Sequence, residues 1–426
     1  MTSEQVRSST AKSAFLVPIG SSGDVHPFIW IGKVLQDLGW DVTIFANAAF
    51  RPAVERSGAR CVPMGEVEDY ERLLHEPALW DPVKGPPTVL RYAGDVTSFY
   101  FDALKRELGD ANPVIFAPST AFGARLVREV TGRKLITVNL QPCIFLSVLN
   151  PPVFGRQFDF ILRMPVWLRR LFFQLVYLRM QLPIGPGVNR ACRDRGVRPP
   201  RNAFRDWWQS PDGSLCLFPD WFAPRQPDWP AALHHVGFPL YDLSDQQGLD
   251  DDLRQFLADG DAPILFTAGT AMTQGAKFFR NAVEICVRLG KRGLLLTKYP
   301  AQIPDPLPAS IRHVSYAPFS LLLPSCAAIV HHGGIGTTSQ ALAAGVPQLI
   351  MPMAHDQPDN AARVVRLGVG DFLYPSAFDA ESASAVLGRL TSSPSVREAC
   401  DRWRDRSAAD QPAEVLRGSL ERLSVL

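Results

Sequence analysis

A glycine-rich stretch at residues 331–338 lies between an apolar run and an alanine-rich helical pattern. The apolar run, 327–330, is typical of a buried parallel strand, and the helical pattern at 337–344 ends at Gly345. A glycine-rich turn between a strand and a helix presents unpaired backbone N–H groups at the positive end of the helix dipole. The sequence therefore predicts an anion site. A turn that only joins strand to helix is the alternative for these glycines alone.

A second strand pattern, at 348–352, is followed by Asp356 and Gln357. A carboxylate and an amide are groups that can bind vicinal hydroxyls. His332 supplies a further donor beside the glycines. An anion site followed by a hydroxyl site indicates a site for a nucleotide-sugar.

Strand patterns alternate with helical patterns in two series along the sequence. The first series predicts strands at 14–19, 41–46, 61–64, 114–117, 135–140, 215–218 and 234–238, with helices at 28–38, 50–57, 87–108 and 122–131. The second predicts strands at 263–270, 293–297 and 313–317 before the glycine-rich stretch, with a helix at 278–289. This alternation is typical of parallel sheets with helices on both faces. We predict an α/β protein with two doubly wound domains, 1–240 and 249–407, joined by a linker at 241–248.

The composition fits a globular enzyme and excludes several other classes. The protein has 426 residues, 46% of them hydrophobic, and a net charge of +2, so nothing indicates nucleic acid as a partner. Seven scattered cysteines favour a reducing compartment, and no apolar segment typical of a signal peptide is present near the first residue. Arginines interrupt the apolar run at 167–178, which is too short to span a membrane. We expect a cytoplasmic protein.

The segments 316–318, 332–337, 345–347 and 356–360 resemble, in residues and spacing, the donor box of nucleotide-sugar-dependent glycosyltransferases with the GT-B fold, the UDP-glycosyltransferase-like family. The resemblance implies that the two domains face each other across a cleft, and that 408–426 forms a helix crossing back to the first domain. It also implies transfer without a metal ion or cofactor. The run at 250–252 fits a helix N-terminus better than a metal-binding motif.

The resemblance assigns donor-binding roles to several residues. For the diphosphate they are Thr270, His332, Gly334, Gly336 and Thr337; for the base, Tyr316 and Ala317; for the sugar, Asp356 and Gln357; for the ribose, Gln340. A simple turn at Thr270 and an ordinary strand aromatic at Tyr316 are the alternatives. Plant relatives have Glu where this sequence has Gln340, and this departure is compatible with a deoxyribose, hence a dTDP-sugar.

The segment 20–27 follows the first predicted strand, where open α/β sheets place ligands. An inverting transfer needs one base to accept the proton of the acceptor hydroxyl, and we assign Asp24 to this role. His26 is the second candidate, and it could instead orient Asp24 or line the acceptor cleft. Ser22 lies beside them as an acceptor contact. The alternative is that Asp24 only caps a helix starting at Pro27.

The acceptor is expected to contact the apolar, basic segment 154–182, including Phe154 and Trp167. The same segment could instead touch the surface of the inner membrane, or form a core helix pair with solvated arginines. Segments 20–25, 217–224, 236–240 and 323–327 are similar to the rhamnosyltransferases of bacterial rhamnolipid synthesis. That similarity implies dTDP-L-rhamnose as donor, a hydroxy-fatty-acid lipid, 3-(3-hydroxyalkanoyloxy)alkanoate, as acceptor, and the lipid-precursor synthase as a pathway partner. His26 departs from the aromatic residue expected there.

Two other functions remain open from the sequence. A glycosyltransferase for a sterol, terpenoid or polyketide would carry the same donor box with a UDP- or dTDP-sugar. A non-catalytic nucleotide-sugar-binding subunit is the alternative of another class, and Asp24 argues against it because pure binding needs no base. A nucleotide-sugar epimerase is disfavoured because the sequence lacks a convincing dinucleotide fingerprint.

Overall fold

A computed structural model describes residues 12–109, 112–244, 248–270 and 272–426. The strands of the first sheet are β1 Ser13–Leu16, β2 Asp41–Ala46, β3 Arg60–Pro63, β4 Val114–Ala117, β5 Leu135–Asn139, β6 Ser214–Cys216 and β7 Leu233–His235. The strands of the second sheet are β8 Ile264–Thr267, β9 Gly293–Leu296, β10 Ile311–Val314, β11 Ala328–His331, β12 Gln348–Ile350 and β13 Gly370–Phe372. All the pairings between them are parallel.

Helices follow most of the strands. Those before the second sheet are α1 Ser22–Asp37, α2 Arg51–Arg56, α3 Val67–Leu74, α4 Gly85–Asp95, α5 Thr97–Leu108, α6 Phe122–Thr131, α7 Phe160–Arg163, α8 Val166–Arg193, α9 Ala203–Asp206 and α10 Asp251–Ala258. Those that follow are α11 Ala276–Leu289, α12 Phe319–Leu322, α13 Ile335–Ala344, α14 Gln357–Leu367, α15 Ala380–Ser392, α16 Pro394–Ala409 and α17 Pro412–Arg422.

Helices cover both faces of the first sheet, and the strand residues on both faces are therefore apolar. Successive residues of a strand point to opposite faces. Ala14 and Leu16 of β1 accordingly lie in one buried cluster, whereas Phe15 and Val17 lie in a second. Ala14 is in register with Val42 of β2 and Val114 of β4, so β1 lies inside the sheet. This central position places whatever follows β1 in the middle of the domain.

Both sheets reverse their strand order at one point. The first has the order β3-β2-β1-β4-β5-β6-β7, and the second has the order β10-β9-β8-β11-β12-β13. The reversal lies between β1 and β4 in one sheet and between β8 and β11 in the other. Open α/β sheets bind ligands outside the carboxyl ends of their strands at this position. The turn carrying Asp24 follows β1, and the turn carrying His332 follows β11, so both predicted centres lie at such a point.

The C-terminal helix α17 packs on the first sheet although it follows the second in sequence. Leu416 and Leu420 are buried in the cluster that contains Ala14 and Leu16. The Lys134 ammonium also donates to the Leu423 carbonyl at 2.9 Å. Burying two leucines contributes about 3–6 kcal/mol, which ties the last helix to the first domain.

The predicted α/β class with two doubly wound parallel sheets is confirmed. The predicted helix at 28–38 begins earlier, at Ser22, because Ser21 and Asp24 form a capping box that closes the first turn. The single helix predicted at 87–108 is two helices separated at Val96. The strand predicted at 313–317 ends at Val314. The domain boundaries stay a prediction, and part of the predicted linker, 245–247, lies outside the described residues.

The apolar run at 167–178 belongs to α8, which is 28 residues long. Its arginines and its modest hydropathy separate it from a membrane-spanning helix. No helix in the described part of the protein has both the length and the apolar character needed to cross a bilayer.

Candidate active site

Asp24 is held in the first turn of α1 by the backbone around it. Its Oδ2 accepts the backbone N–H of Ser21 at 2.7 Å and the Ser21 hydroxyl at 3.1 Å. Gly20 has φ +137°, and a Cβ there would lie 2.2 Å from Oδ2, so only glycine leaves room for the carboxylate. Among the described residues no donor is assigned to Oδ1. That oxygen is therefore the one that can meet a ligand.

The environment of Asp24 suits a base at neutral pH. Burial raises the pKa of its carboxyl from 3.8 to about 6, and the negative charge of Asp356 acts in the same direction. The hydrogen bonds from Ser21 and the charge of His355 lower this pKa by less. Asp356 and His355 belong to the second domain, so the charges of the two turns influence each other across the cleft. At pH 7.5 Asp24 is mostly ionised and able to accept a proton.

His26 lies on a different side of α1. Two residues along a helix correspond to a rotation of about 200°, so the side chains of His26 and Asp24 point nearly opposite ways. The His26 ring packs edge-on against Tyr241 of the linker segment, with ring centroids 6.0 Å apart. Burial lowers the pKa of His26, and the charge of Asp242 opposes this. The structure therefore does not bring His26 to Asp24, and an orienting role for it is not supported.

His332 occupies a space made by two glycines. A Cβ on Gly269, after β8, would lie 2.6 Å from its ring, and a Cβ on Gly334 would lie 2.5 Å from Nε2. The ring is thus fixed between the end of β8 and the start of α13. Its Nδ1 is buried without a hydrogen-bond partner among the described residues. Burial lowers the pKa of His332 to about 4, so the ring is neutral at pH 7.

His331 has a structural role that fixes the same turn. Its Nδ1 accepts the N–H of Gly333 at 3.1 Å, and its Nε2 lies 3.1 Å from the Gln348 Oε1. Because Nδ1 accepts, the proton is on Nε2 and the ring is neutral. Burial lowers the pKa of His331 to about 3. The two adjacent histidines therefore differ: His331 is bonded on both nitrogens, and His332 is not.

Asp356 reaches the N-terminus of α13. Its Oδ2 accepts the Ile335 N–H at 3.2 Å and the Asn360 amide at 2.7 Å. Burial raises the pKa of Asp356 to about 6, although these hydrogen bonds oppose the rise. The N–H groups of Gly336 and Thr337 have no acceptor within the helix, because the first turn supplies none. An anion at this terminus would meet them, as the sequence predicts for Gly334, Gly336 and Thr337.

Gln357 and Gln340 are both buried on the second domain. The Gln357 Oε1 accepts the N–H groups of Met353 and Ala354 at 2.8 and 3.2 Å, so it shapes the preceding loop. Only its amide nitrogen is left to bind a sugar hydroxyl, so the predicted sugar contact of Gln357 would be a hydrogen bond donated by Nε2. Gln340 lies on α13 about 9 Å along the axis from Gly334. That separation suits a ribose better than a phosphate.

The residues predicted to contact the nucleotide base lie between the second sheet and the linker. The Tyr316 hydroxyl donates to the Asp242 carbonyl at 2.5 Å, and the Asp242 carboxylate accepts the Ser320 N–H at 2.7 Å. Tyr316 thus anchors the linker. Its ring is partly exposed, and stacking of that ring on the nucleotide base stays a prediction. Ala317 is buried and Thr270 is exposed after β8.

The predicted acceptor residues lie on three different parts of the first domain. Ser22 is the first residue of α1, beside Asp24. Phe154 is half-buried and packs edge-on against Phe158, with ring centroids 6.2 Å apart. The segment around it meets the second domain, because the Val153 N–H donates to Asp359 at 3.1 Å. Trp167 is 64% exposed on α8, and its acceptor role stays a prediction.

His355 is a site residue to which the sequence reasoning assigned no role. It has φ +61°, an uncommon conformation for a residue other than glycine. Its Nε2 lies 2.8 Å from the Leu79 carbonyl in the first domain, so it joins the two domains beside Asp24. The sequence signal that could have identified His355 is its position directly before Asp356. Asn360, four residues after Asp356 and so on the same helix face, could have been found in the same way.

No cluster of three or more histidine, cysteine or acidic side chains suited to a metal occurs among the residues that the structure describes. The site instead combines a carboxylate at one sheet reversal point, a helix N-terminus at the other, and neutral imidazoles between them. Such groups can hold an anionic donor and accept a proton.

Comparison with known proteins identifies the class. The family model of the erythromycin biosynthesis protein CIII-like C-terminal domain matches residues 297–423. The protein is 30% identical over 419 residues to O-mycaminosyltylonolide 6-deoxyallosyltransferase of Streptomyces fradiae, covering 94% of both sequences. The chain therefore belongs to the GT-B glycosyltransferase family that includes enzymes of natural-product biosynthesis.

Solved structures show the same fold over nearly the whole length. The glycotransferase of kitacinnamycin has a TM-score of 0.74 at 22% identity, covering 97% of this protein and 99% of its own length. The spinosyn rhamnosyltransferase SpnG, complexed with thymidine diphosphate, has a TM-score of 0.67 at 17% identity, with coverage of 96% and 99%. The two-domain GT-B architecture predicted from the donor box is thus confirmed.

Proposed function

We propose that this glycosyltransferase moves L-rhamnose from dTDP-L-rhamnose to the hydroxyl of a 3-(3-hydroxyalkanoyloxy)alkanoate, with inversion at the anomeric carbon. One observation carries the transfer chemistry of this proposal: the buried Asp24 carboxyl, which follows β1, interacts electrostatically with Asp356 of the donor turn and has a pKa raised to about 6. A base on the acceptor side and an anion site on the donor side are the two centres that an inverting transfer requires.

The reaction proceeds by one displacement. The acceptor hydroxyl gives its proton to Asp24 Oδ1 while its oxygen forms a bond to the anomeric carbon. The bond from that carbon to the diphosphate oxygen breaks on the opposite side, and its electron pair leaves with dTDP. The N–H groups of Gly336 and Thr337, with His332, stabilise the charge that develops on the leaving group. These donors replace a cation, so the proposal includes neither a metal ion nor a cofactor.

The donor follows from Gln340 and the fold relatives. The buried amide of Gln340 is neutral and lacks the two charged acceptor oxygens with which a carboxylate binds two ribose hydroxyls, and thymidine diphosphate has only one free ribose hydroxyl. A rhamnosyltransferase of the same fold was solved with thymidine diphosphate. Both points support a dTDP-sugar, and the sequence similarity to rhamnolipid rhamnosyltransferases supports rhamnose.

Two candidate acceptors, a lipid and a polyketide, are compatible with this site. The 30% identity with a macrolide deoxyallosyltransferase favours a polyketide acceptor with the same base and donor site. The lipid acceptor is supported by the sequence similarity and by the apolar segment at 154–182. With a lipid acceptor, the enzyme that joins two hydroxyacyl groups would precede this one in the pathway.

A product assay distinguishes the two acceptors. Purified protein receives dTDP-L-rhamnose or UDP-glucose, each with the hydroxyalkanoyloxyalkanoate or with a macrolide aglycone, in buffer containing EDTA. The proposal expects one deoxyhexose added to the lipid, detected by mass spectrometry. Transfer only to the macrolide would replace the lipid acceptor and retain the site. Transfer to neither, with intact dTDP binding, would leave the protein as a binding subunit.

A further inference from the structure

The solvent-facing side of α8 carries an apolar stripe that no described element covers. Its members recur at helical spacing: Trp167, Leu171, Leu175, Leu178 and Leu182. All five have 56–64% of their surface in water. Scattered exposed leucines need no explanation, but a continuous stripe of about 22 Å does.

The charge of this helix is one-sided. Residues 160–193 contain six arginines and no aspartate, glutamate or lysine, although the whole protein has a net charge of only +2. Arg163, Arg170 and Arg179 are exposed and form no ion pair with a described carboxylate. A surface helix of a globular protein usually carries both signs. Here every charged side chain exposed on the helix is cationic.

The opposite face of α8 is firmly attached. Phe173, Ile184 and Val188 are buried, and Ile184 and Val188 pack in the core of the first domain. Gly94 of α4 and Gly187 of α8 meet so closely that a Cβ on Gly187 would lie 2.2 Å from the Gly94 carbonyl oxygen. The helix cannot turn its stripe inward without losing this packing. The stripe is thus a permanent part of the protein's outer surface.

The first turn of α8 also fixes the segment before it. The Arg169 guanidinium donates to the carbonyls of Ile161 and Leu162 at 3.0 and 2.6 Å. Phe160 and Leu162, exposed by 47% and 42%, therefore continue the apolar surface beyond the helix. The same segment leads back to Val153, which bonds to the second domain beside the donor turn.

We propose that the α8 face, defined as Phe160, Leu162 and the five stripe residues with Arg163, Arg170 and Arg179, docks on the surface of an anionic lipid bilayer. An amphipathic helix lying in the interface buries its apolar side between acyl groups while its arginines meet acidic headgroups, and Trp167 at one end suits that boundary. A second copy fits less well, because a two-fold contact would oppose arginine to arginine. Docking would bring the cleft to the phase in which an amphiphilic acceptor dissolves.

Vesicle binding by the full-length protein tests the proposal. Flotation with phosphatidylglycerol vesicles should carry the protein to the top of the gradient, whereas pure phosphatidylcholine should carry much less. Leu175→Ser with Leu178→Ser should weaken binding more than tenfold, because both side chains leave the interface. Arg170→Gln with Arg179→Gln should weaken it about 30-fold, and 0.5 M NaCl should act in the same direction.

Matched controls lie elsewhere on the surface. Val130→Ser with Val287→Ser removes two exposed apolar side chains, and Arg280→Gln with Arg397→Gln removes two exposed arginines, with no change in vesicle binding expected. All variants should keep their circular dichroism and dTDP affinity, which shows that they are folded. Equal binding of all variants, or no flotation with phosphatidylglycerol, overturns the proposal. A lipid-free dimer that the leucine variant dissociates would assign the face to a second copy.

Discussion

Asp24→Asn should separate the catalytic role of this carboxylate from a purely structural one. Folding moves the pKa of Asp24 from 3.8 to about 6, so the folded protein prefers its protonated form. The contribution of this group to stability is therefore complete below pH 3.8 and is lost as pH rises through about 6. The loss amounts to about 1.5 kcal/mol at pH 5 and about 3 kcal/mol above pH 7.

A neutral asparagine avoids this loss and can still accept the Ser21 N–H, since it retains a side-chain oxygen. The variant should consequently be more stable than the wild type, by up to about 3 kcal/mol at pH 8 and by less at pH 5. Turnover should fall by at least 100-fold, because general-base catalysis contributes about 10²–10⁴. Affinity for dTDP should change little, since Asp24 belongs to the acceptor side.

Three measurements check this prediction together: urea unfolding at pH 5 and 8, the single-turnover rate, and dTDP titration calorimetry. Asp37→Asn, on an exposed position of the same helix, is the control and should leave all three unchanged. A variant that is less stable at both pH values, with activity and dTDP affinity reduced in parallel, would refute the catalytic assignment and leave Asp24 as a helix cap.

The remaining predictions concern the donor domain. His332→Asn should weaken dTDP binding at least tenfold, because a donor to the diphosphate is lost; calorimetry showing unchanged affinity would remove His332 from the site. Arg363→Met should lower the free energy of unfolding by about 3–5 kcal/mol, since it leaves the buried Asp359 unpaired, whereas Arg404→Met, in an exposed pair, should cost under about 1 kcal/mol in the same urea titration. Gln340→Glu should raise the affinity for UDP relative to dTDP, and an unchanged ratio in competition binding would argue against ribose contact.

The sheets could be predicted from the sequence because buried parallel strands are continuous apolar runs. Val114–Ala117 and Asp41–Ala46 coincide with their predicted bounds. Asp250 caps α10 as expected, its carboxylate accepting the Leu253 N–H at 2.6 Å. The reversal points of the strand order required the structure, since sequence alone does not state which strands are neighbours. They explain why the turns after β1 and β11 carry the site.

Side-chain direction was beyond the sequence reasoning. His26 was the second candidate for the base and could instead have oriented Asp24 or lined the acceptor cleft, yet the early start of α1 places the two residues on nearly opposite sides of a helix. Trp167 belongs to the apolar, basic segment 154–182, for which an acceptor cleft, a membrane surface and a core helix pair were all open, and its helix presents it to solvent. In both cases the helical phase, which depends on where the helix begins, decided the outcome.

Asp24 and Asp356, whose pKa values are both raised to about 6, cost folding free energy when both carboxyls are ionised. Asp24 and Asp356 approach from different domains, and each is buried, so at neutral pH two negative charges lie close together in a poorly solvated space. Asp356 relieves part of this by accepting the Ile335 N–H at the positive end of α13, the place where a diphosphate would also bind. A diphosphate bound there would therefore lie at the same helix terminus as the Asp356 carboxylate. The residue predicted to bind the sugar thus also accepts an N–H group at the N-terminus of α13, a structural role that the sequence alone did not indicate.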